Sequence, residues 1–388
     1  MSAALNAYMK RPMPPFKRDA FSSADLNQVI MSKFIHICNM PPRPAVPIET
    51  PHYVTYDPRG NEIGPINGLT SAFARDFAFD ATNTHCLSFT DADYRDGDDL
   101  SDLIGDTERQ RLSVEIWNQR RQEHAPAILT LWHDRLYKID IANDVARHFG
   151  DLSLLRTNEK RMAHAVREAI YRRRLVWGGE AAQFGAIKAH CIIATLVSML
   201  PSDRNASLTL LDTSAGWGDR ALGAATIATI GTYIGFDPNL TMHPSYRQID
   251  ALATHARATL KMPALNMTFV PLGFPLSNSD IQIADIVFTS PPYWDKEIYC
   301  RDGTQSTTQF TTFDAWFDGF YCAMLDYSLA HLRPGGIMAI HICDIARMTI
   351  VERMLRWCQS DGRSTFAGVL LLSSGQSTTK PVWLLRRV

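Results

Sequence analysis

The sequence predicts an α/β protein: a doubly wound, mostly parallel sheet towards the C-terminus, preceded by a mostly helical or irregular region. Three observations carry this. After PSDRNAS, short apolar runs (LTLLD, TYIGFD, MTFVPL, ADIVFTS, GGIMAIHIC, AGVLLLS, PVWLLRR) alternate with segments of helical periodicity. The first run leads into a turn holding two glycines, and the fourth ends on two adjacent prolines. Between Thr107 and Leu200 the pattern is mainly helical: LSVEIWNQRRQ, PAILTLWHDRLYKIDIANDVARHF and EKRMAHAVREAIYRRRLVW space their apolar residues by three and four.

The chain has 388 residues, 46% hydrophobic and 20% charged, the composition of a globular protein long enough for two domains. The change of pattern places a boundary near residue 155, with 1–155 as an accessory region and 156–388 as the sheet-bearing domain. No apolar run approaches the ~20 residues that span a bilayer, and MSAALNAYMKRPMPPFKRD lacks the apolar centre of a secretory signal. The expected location is therefore intracellular, in cytoplasm, nucleoid or nucleus, and neither secreted nor membrane-bound. The seven cysteines form no CxxC pair, so neither a disulfide framework nor a zinc site is indicated. A net charge of −1 argues against a purely charge-driven nucleic-acid binder and requires any such contact to come from a local patch.

Along the chain, PMPPF and MPPRPAVPIETP read as extended segments, because proline removes a backbone donor and fixes φ. The acidic stretch Asp91 to Asp106 invites a calcium-loop reading. A loop begun at Asp91 would put Arg95 at a ligand position and Asp96 where the turn needs glycine, so a solvated acidic face is the better description.

The first strand ends in LLDTSAGWGDRALGA. Asp212 closes the strand, Gly216 and Gly218 permit a tight turn with close backbone approach, and a helix follows. Ligands of open α/β sheets bind beyond the carboxyl ends of such strands. The second strand ends in GFDPN, which places Asp237 ~20 residues on, where a carboxylate can accept hydrogen bonds from both ribose hydroxyls of an adenosine cofactor. A nicotinamide dinucleotide shares this pattern, but the third glycine does not fit. A turn with Asp212 and Ser214 suits the cationic amino-acid end of S-adenosylmethionine better than a diphosphate.

The fourth strand ends in FTSPPYW. An exocyclic base amine is a poor nucleophile because its lone pair is delocalised into the ring. Acceptors that take its protons favour the pyramidal nitrogen and the positive charge that develops during methylation. The carbonyls of Ser290 and Pro291 and the Ser290 hydroxyl are such acceptors, held at fixed angles by Pro291 and Pro292. Tyr293 offers a ring on which a flipped base can stack, and Trp294 a second wall.

These residues resemble the class I S-adenosylmethionine-dependent methyltransferases that modify exocyclic amines of nucleic-acid bases, whose signature at the fourth strand is [DNS]-P-P-[YFW]. The serine-first form here is commoner among N4-cytosine than N6-adenine enzymes. The resemblance covers roughly residues 160 to 388. It implies a seven-stranded Rossmann-like methyltransferase sheet with PVWLLRR as an antiparallel last strand. It also implies cofactor contacts at Asp212, Ser214, Gly216, Gly218, Asp237 and Thr289, catalytic roles for Ser290, Pro291, Pro292 and Tyr293, and a loose match of residues 174 to 190 to the family's donor-binding segment. The expected cofactor is S-adenosylmethionine and the expected partner nucleic acid, with DNA favoured over RNA.

Further residues complete the picture. Trp294 and the arginines Arg172, Arg173 and Arg174 of KRMAHAVREAIYRRR are candidate nucleic-acid contacts, beside Lys160, Arg161 and Arg167; a solvated helix face is an equal alternative for the basic stretch. Asp295, Glu297 and Tyr299 flank the expected base pocket, and QSTTQFTT reads as a mobile loop in which Gln305 and Ser306 are plain surface residues before they are base readers. Trp316, Phe317 and Phe320 belong to an amphipathic helix as core, and His341 and Asp344 face the same rim of the sheet with a structural role preferred for the histidine. RNA, a guanine N2 or an amide side chain as acceptor, and a catalytically silent subunit of the same fold, are the rival readings.

Overall fold

The computed structural model describes residues 23–47, 54–56, 62–65, 82–89, 185–201, 207–276, 281–294, 303–344, 348–373 and 379–388. The acidic segment 91–106, the boundary near 155, the basic stretch with Arg172, Arg173 and Arg174, and Asp295, Glu297 and Tyr299 lie outside these residues.

The elements run α1 Ser23–Cys38, β1 Val46–Pro47, β2 Val54–Tyr56, β3 Glu62–Pro65, β4 Thr84–Ser88, α2 Ala186–Ser198, β5 Leu208–Asp212, α3 Asp219–Ala225, β6 Ile230–Phe236, α4 His243–Thr259, β7 Asn266–Val270 and β8 Ala284–Thr289. There follow α5 Ser306–Gln309, α6 Phe313–Trp316, a π-helical turn Phe317–Tyr321, α7 Cys322–Ala330, β9 Leu332–His341, α8 Ile350–Asp361, β10 Ser364–Ser373 and β11 Thr379–Arg387. Each of the seven apolar runs is a strand. Together they form the expected doubly wound sheet, in the order β10-β11-β9-β8-β5-β6-β7. Strands β7, β6, β5, β8 and β9 are mutually parallel, and β11 lies antiparallel between β9 and β10, as PVWLLRR led one to expect.

The sheet is longer than seven strands. β4 pairs in parallel with β10 and β1 pairs antiparallel with β4, giving nine strands among the described residues. Two pieces of the region expected to be accessory are thus part of the main sheet, and Ile30, Phe34 and Ile37 of α1 are buried in its core. The proline of β1 sits on the outermost strand, the position in a sheet that tolerates proline. β2 and β3 make a separate antiparallel pair.

Burial follows the two-residue period of strands buried on both faces. Leu210, Ile286, Phe288, Ile337, Ala339, Leu370, Leu372, Val382 and Leu384 pack with α1 to α4 in one core. Their neighbours Leu211, Val287, Met338, Ile340, Val369, Leu371, Trp383 and Leu385 pack with α6, the π-helical turn, α7 and α8 in the other. Trp316, Phe317 and Phe320 are buried in this second core, as their spacing predicted.

Candidate active site

Order in the sheet fixes where a ligand can sit. β5 and β8 are adjacent parallel strands, with β6 and β7 wound off one side and β9 off the other, so the winding reverses between them. The pairs Leu210↔Ile286 and Leu211↔Val287 bring the two carboxyl ends level, ~5 Å apart. The glycine turn after β5 and the SPPY corner after β8 are therefore neighbours at the switch point, the ligand crevice of such sheets.

The glycine turn is built from beneath. Gly216 and Gly218 both have positive φ, +55° and +81°, and a Cβ on Gly218 would lie 2.3 Å from Ile249 Cδ1. Asp212 is fully buried: Arg220 Nε donates to Oδ2 at 2.8 Å, Tyr233 Oη donates to the same oxygen at 2.9 Å, and Ser214 N donates to Oδ1 at 3.1 Å. Arg220 also donates to the Ser214 carbonyl. This differs from the direct ligand contact expected of Asp212: its charge is neutralised by Arg220, and it shapes the turn from inside. Ser214 is held by its backbone at the same place.

Asp237 also does more than anticipated. Its Oδ2 accepts from Gly216 N and its Oδ1 from Asn239 N, both at 2.9 Å. Tyr246 Oη stands 2.9 Å from Oδ2 and 2.6 Å from the Gly216 carbonyl, its one proton serving either. The carboxylate thus ties the ends of β5 and β6 together. With at least two of its roughly four lone-pair directions occupied, it has less left for the ribose clasp expected of it. Burial pushes its pKa up, against the opposing pull of these donors.

At the corner, Pro291 is buried, whereas Ser290, Pro292, Tyr293 and Trp294 are half-buried. Ser290 Oγ lies 3.1 Å from Nδ1 of His341, the last residue of β9, and Tyr293 Oη lies 3.5 Å from Cys343 Sγ. Trp294 has φ +40°, a conformation costing a bulky residue on the order of 1–3 kcal/mol. Its ring meets Phe313 edge-on at 5.7 Å, and its buried indole Nε1 has no hydrogen-bond partner among the described residues. Burial holds the pKa of His341 well below the usual histidine range, and Lys380, Arg220 and Lys188 push it the same way, which favours the neutral ring.

Two further atoms bear on a ligand. The Oγ1 atoms of Thr213 and Thr289 are buried at the ends of β5 and β8 and have no hydrogen-bond partner among the described residues. Above Gly216 a Cβ would meet, among the described residues, only the Ser214 carbonyl, at 3.6 Å. A backbone open at that point, with unmet hydroxyls beside it, fits a polar ligand lying across the two strand ends.

Some assignments change. Gln305 is buried and Ser306 Oγ accepts from Trp316 Nε1 at 3.0 Å, so this part of QSTTQFTT is an anchored turn and not the plain mobile loop expected. Of residues 174 to 190, those described, Gly185 to His190, enter α2. Reading the sequence missed Thr213 and Tyr246 and did not pair His341 with Ser290. A polar residue ending a strand next to the SPPY strand was the available signal for the histidine.

No family model and no curated protein sequence matches the chain. Among solved structures it is similar to the magnesium protoporphyrin IX methyltransferase ChlM from Synechocystis PCC 6803 with bound SAM, at 13% identity and TM-score 0.34, covering 52% of this chain and 79% of that one. It is also similar to a putative rRNA-methylase from Clostridium thermocellum, at 16% identity and TM-score 0.32, over 52% and 96% of the two chains. A third is SMU.1697c, a putative methyltransferase from Streptococcus mutans in complex with SAH, at 14% identity and TM-score 0.32, over 50% and 93%. At this distance none bears on what the site accepts. Among the described residues no helix is long and apolar enough to cross a membrane.

Asp344, three residues beyond Ser290's partner, yields a prediction on stability. It is buried, its Oδ1 accepts from Val351 N at 2.8 Å at the start of α8, and its Oδ2 has no hydrogen-bond partner among the described residues. Burial raises its pKa to about 7. A carboxyl whose folded pKa is raised stabilises the fold at low pH and loses that contribution as pH climbs from its unfolded value through about 7. Asp344→Asn should therefore lose less stability than the parent between pH 5 and pH 8 in urea titrations, by up to roughly 3 kcal/mol. Equal losses in the two proteins would contradict a protonated Asp344.

Proposed function

We propose that the protein transfers a methyl group from S-adenosylmethionine to an exocyclic amine of a nucleic-acid base, N4 of cytosine or N6 of adenine, with DNA the favoured polymer. The observation that carries this reading is the position of Ser290-Pro291-Pro292-Tyr293 at the carboxyl end of β8, beside the glycine turn of β5 and in the crevice where the winding reverses.

The residues fit that cofactor. Gly216, Gly218 and Thr213 of the turn, Asp237 at the end of β6 and Thr289 at the end of β8 would hold it, and when bound it supplies the electrophilic methyl group. Asp212 acts by holding the turn. The rest of the chemistry belongs to the corner. Carbonyl oxygens of Ser290 and Pro291 and the Ser290 hydroxyl accept from the amine and favour its pyramidal form. Tyr293, in contact with Cys343 just after β9, and Trp294, backed by Phe313, supply the walls against which a flipped or single-stranded base stacks. No strong base is needed, because the aminium product loses its proton readily to water or a carboxylate. Lys188 and Lys380 add positive charge near His341, of the sign a polyanion requires.

Ser290→Ala tests the assignment. It removes one acceptor used in the transition state, so kcat should fall on the order of 100-fold while the dissociation constant for S-adenosylmethionine stays within about threefold. Loss of donor affinity by the same factor as loss of turnover would place Ser290 in the cofactor site and sink the role given to it.

A further inference from the structure

A hydroxyl in a base pocket is ambiguous, since Ser290 can donate its proton or accept one, and only acceptance assists the amine. β9 supplies the hydroxyl's partner. Thr289 pairs with Ile340, so Ser290 stands beside the residue after Ile340, which is His341. His341 is 8% exposed, its strand is fixed on the far side by Val382, and its Nδ1 lies 3.1 Å from Ser290 Oγ. An imidazole this deeply enclosed is rigid, and a neutral one offers one acceptor nitrogen and one donor nitrogen.

We propose that His341 is a positioning residue: its Nδ1 accepts the Ser290 hydroxyl proton and so leaves only lone pairs of Ser290 Oγ to face the target amine. No proton changes owner in this arrangement; the Nε2–H tautomer of His341 persists throughout. The groups around the ring favour the neutral form. Lys380 at the start of β11, Arg220 on α3 and Lys188 on α2 all carry positive charge towards it, and burial acts in the same sense. A cationic ring would donate from Nδ1, turn the Ser290 hydroxyl proton towards the amine, and remove the acceptor. The functional part of this inference rests on the amine-methylation reading above; the tautomer does not.

The experiment has two arms on the full chain. In the first, long-range proton–nitrogen spectra of histidine-labelled protein locate the His341 signals by their loss in His341→Asn. The expected result at pH 7 is a neutral Nε2–H tautomer whose Nδ1 resonance moves when Ser290 becomes alanine. A proton on Nδ1, or a Nδ1 resonance indifferent to Ser290→Ala, overturns the proposal whatever the protein's activity. In the second arm, His341→Leu should lower kcat about 10- to 100-fold with donor affinity unchanged. His341→Asn, whose Oδ1 can take the place of Nδ1 as acceptor, should recover to within about threefold, and His341→Leu should change kcat less than about twofold in a Ser290→Ala background. Independent, multiplying effects of the two substitutions, or failure of asparagine to recover, would assign His341 to packing alone. If no amine is methylated, the second arm is silent and the proposed reaction fails, while the spectra still decide the tautomer.

Discussion

Asp237→Ala should cost at least ~100-fold in affinity for S-adenosylmethionine, about 2.7 kcal/mol, and should also loosen the fold locally. The expectation follows from what the carboxylate holds. Gly216 N donates to its Oδ2 and Asn239 N to its Oδ1, both at 2.9 Å, and Tyr246 stands within reach of Oδ2. Its removal leaves part-buried donors without acceptors, each costing up to ~1–3 kcal/mol, and frees Gly216 from the geometry that presents it at the crevice. Asp237→Asn should be nearly as harmful, because an amide has one acceptor oxygen and would turn an NH2 group towards a backbone N–H. Calorimetric titration with S-adenosylmethionine, alongside thermal melting of both variants, measures the two effects. Affinity within about threefold of the parent in Asp237→Asn would contradict the dual role.

Arg257→Leu is expected to cost ~3–5 kcal/mol of stability, the loss typical of breaking a buried charged network. Arg257 is 1% exposed on α4. It donates to carbonyls of Pro263 at 2.7 Å, Ile230 at 3.1 Å, Ala228 at 3.2 Å and Ala225 at 3.3 Å. These carbonyls include the bend that carries the chain from α3 into β6, the strand that ends at Asp237. Leucine fills the space and leaves the carbonyls unpaired. Arg257→Lys should rescue little, since a single ammonium cannot reproduce the planar fork. Denaturant midpoints would register the loss, and a change under about 1 kcal/mol would show that the bend holds itself.

How much of this was legible in the sequence depends on how local the signal is. Strands buried on both faces betray themselves as unbroken apolar runs, so all seven from LTLLD to PVWLLRR could be read without a partner in view, as could the two turns that end β5 and β8. β4 could not: THCLS is five residues of mixed polarity, and only its pairing with β10 makes it a strand. β1 is two residues long and contains a proline. The residues that assemble the site were legible by kind but not by task. Asp212 and Asp237 stand at the strand ends where acids were expected, yet a sequence does not say that Arg220 and Tyr233 occupy one and that Gly216 and Asn239 occupy the other. Arg257 gives no sign of burial, because arginine in an amphipathic helix is ordinarily solvated. His341 lies 51 residues from Ser290, and only the parallel pairing of β8 with β9 brings them within 3.1 Å.

Purified protein incubated with methyl-labelled S-adenosylmethionine and separate pools of double-stranded DNA, single-stranded DNA and RNA, then digested to nucleosides, reports directly where the label goes. The predicted result is label on N4-methylcytosine or N6-methyladenine nucleosides, strongest in a DNA pool and strongly reduced in Ser290→Ala. Label absent from every pool, with the cofactor shown separately to bind, would contradict a nucleic-acid acceptor; label absent and no cofactor bound would contradict the methyltransferase reading altogether.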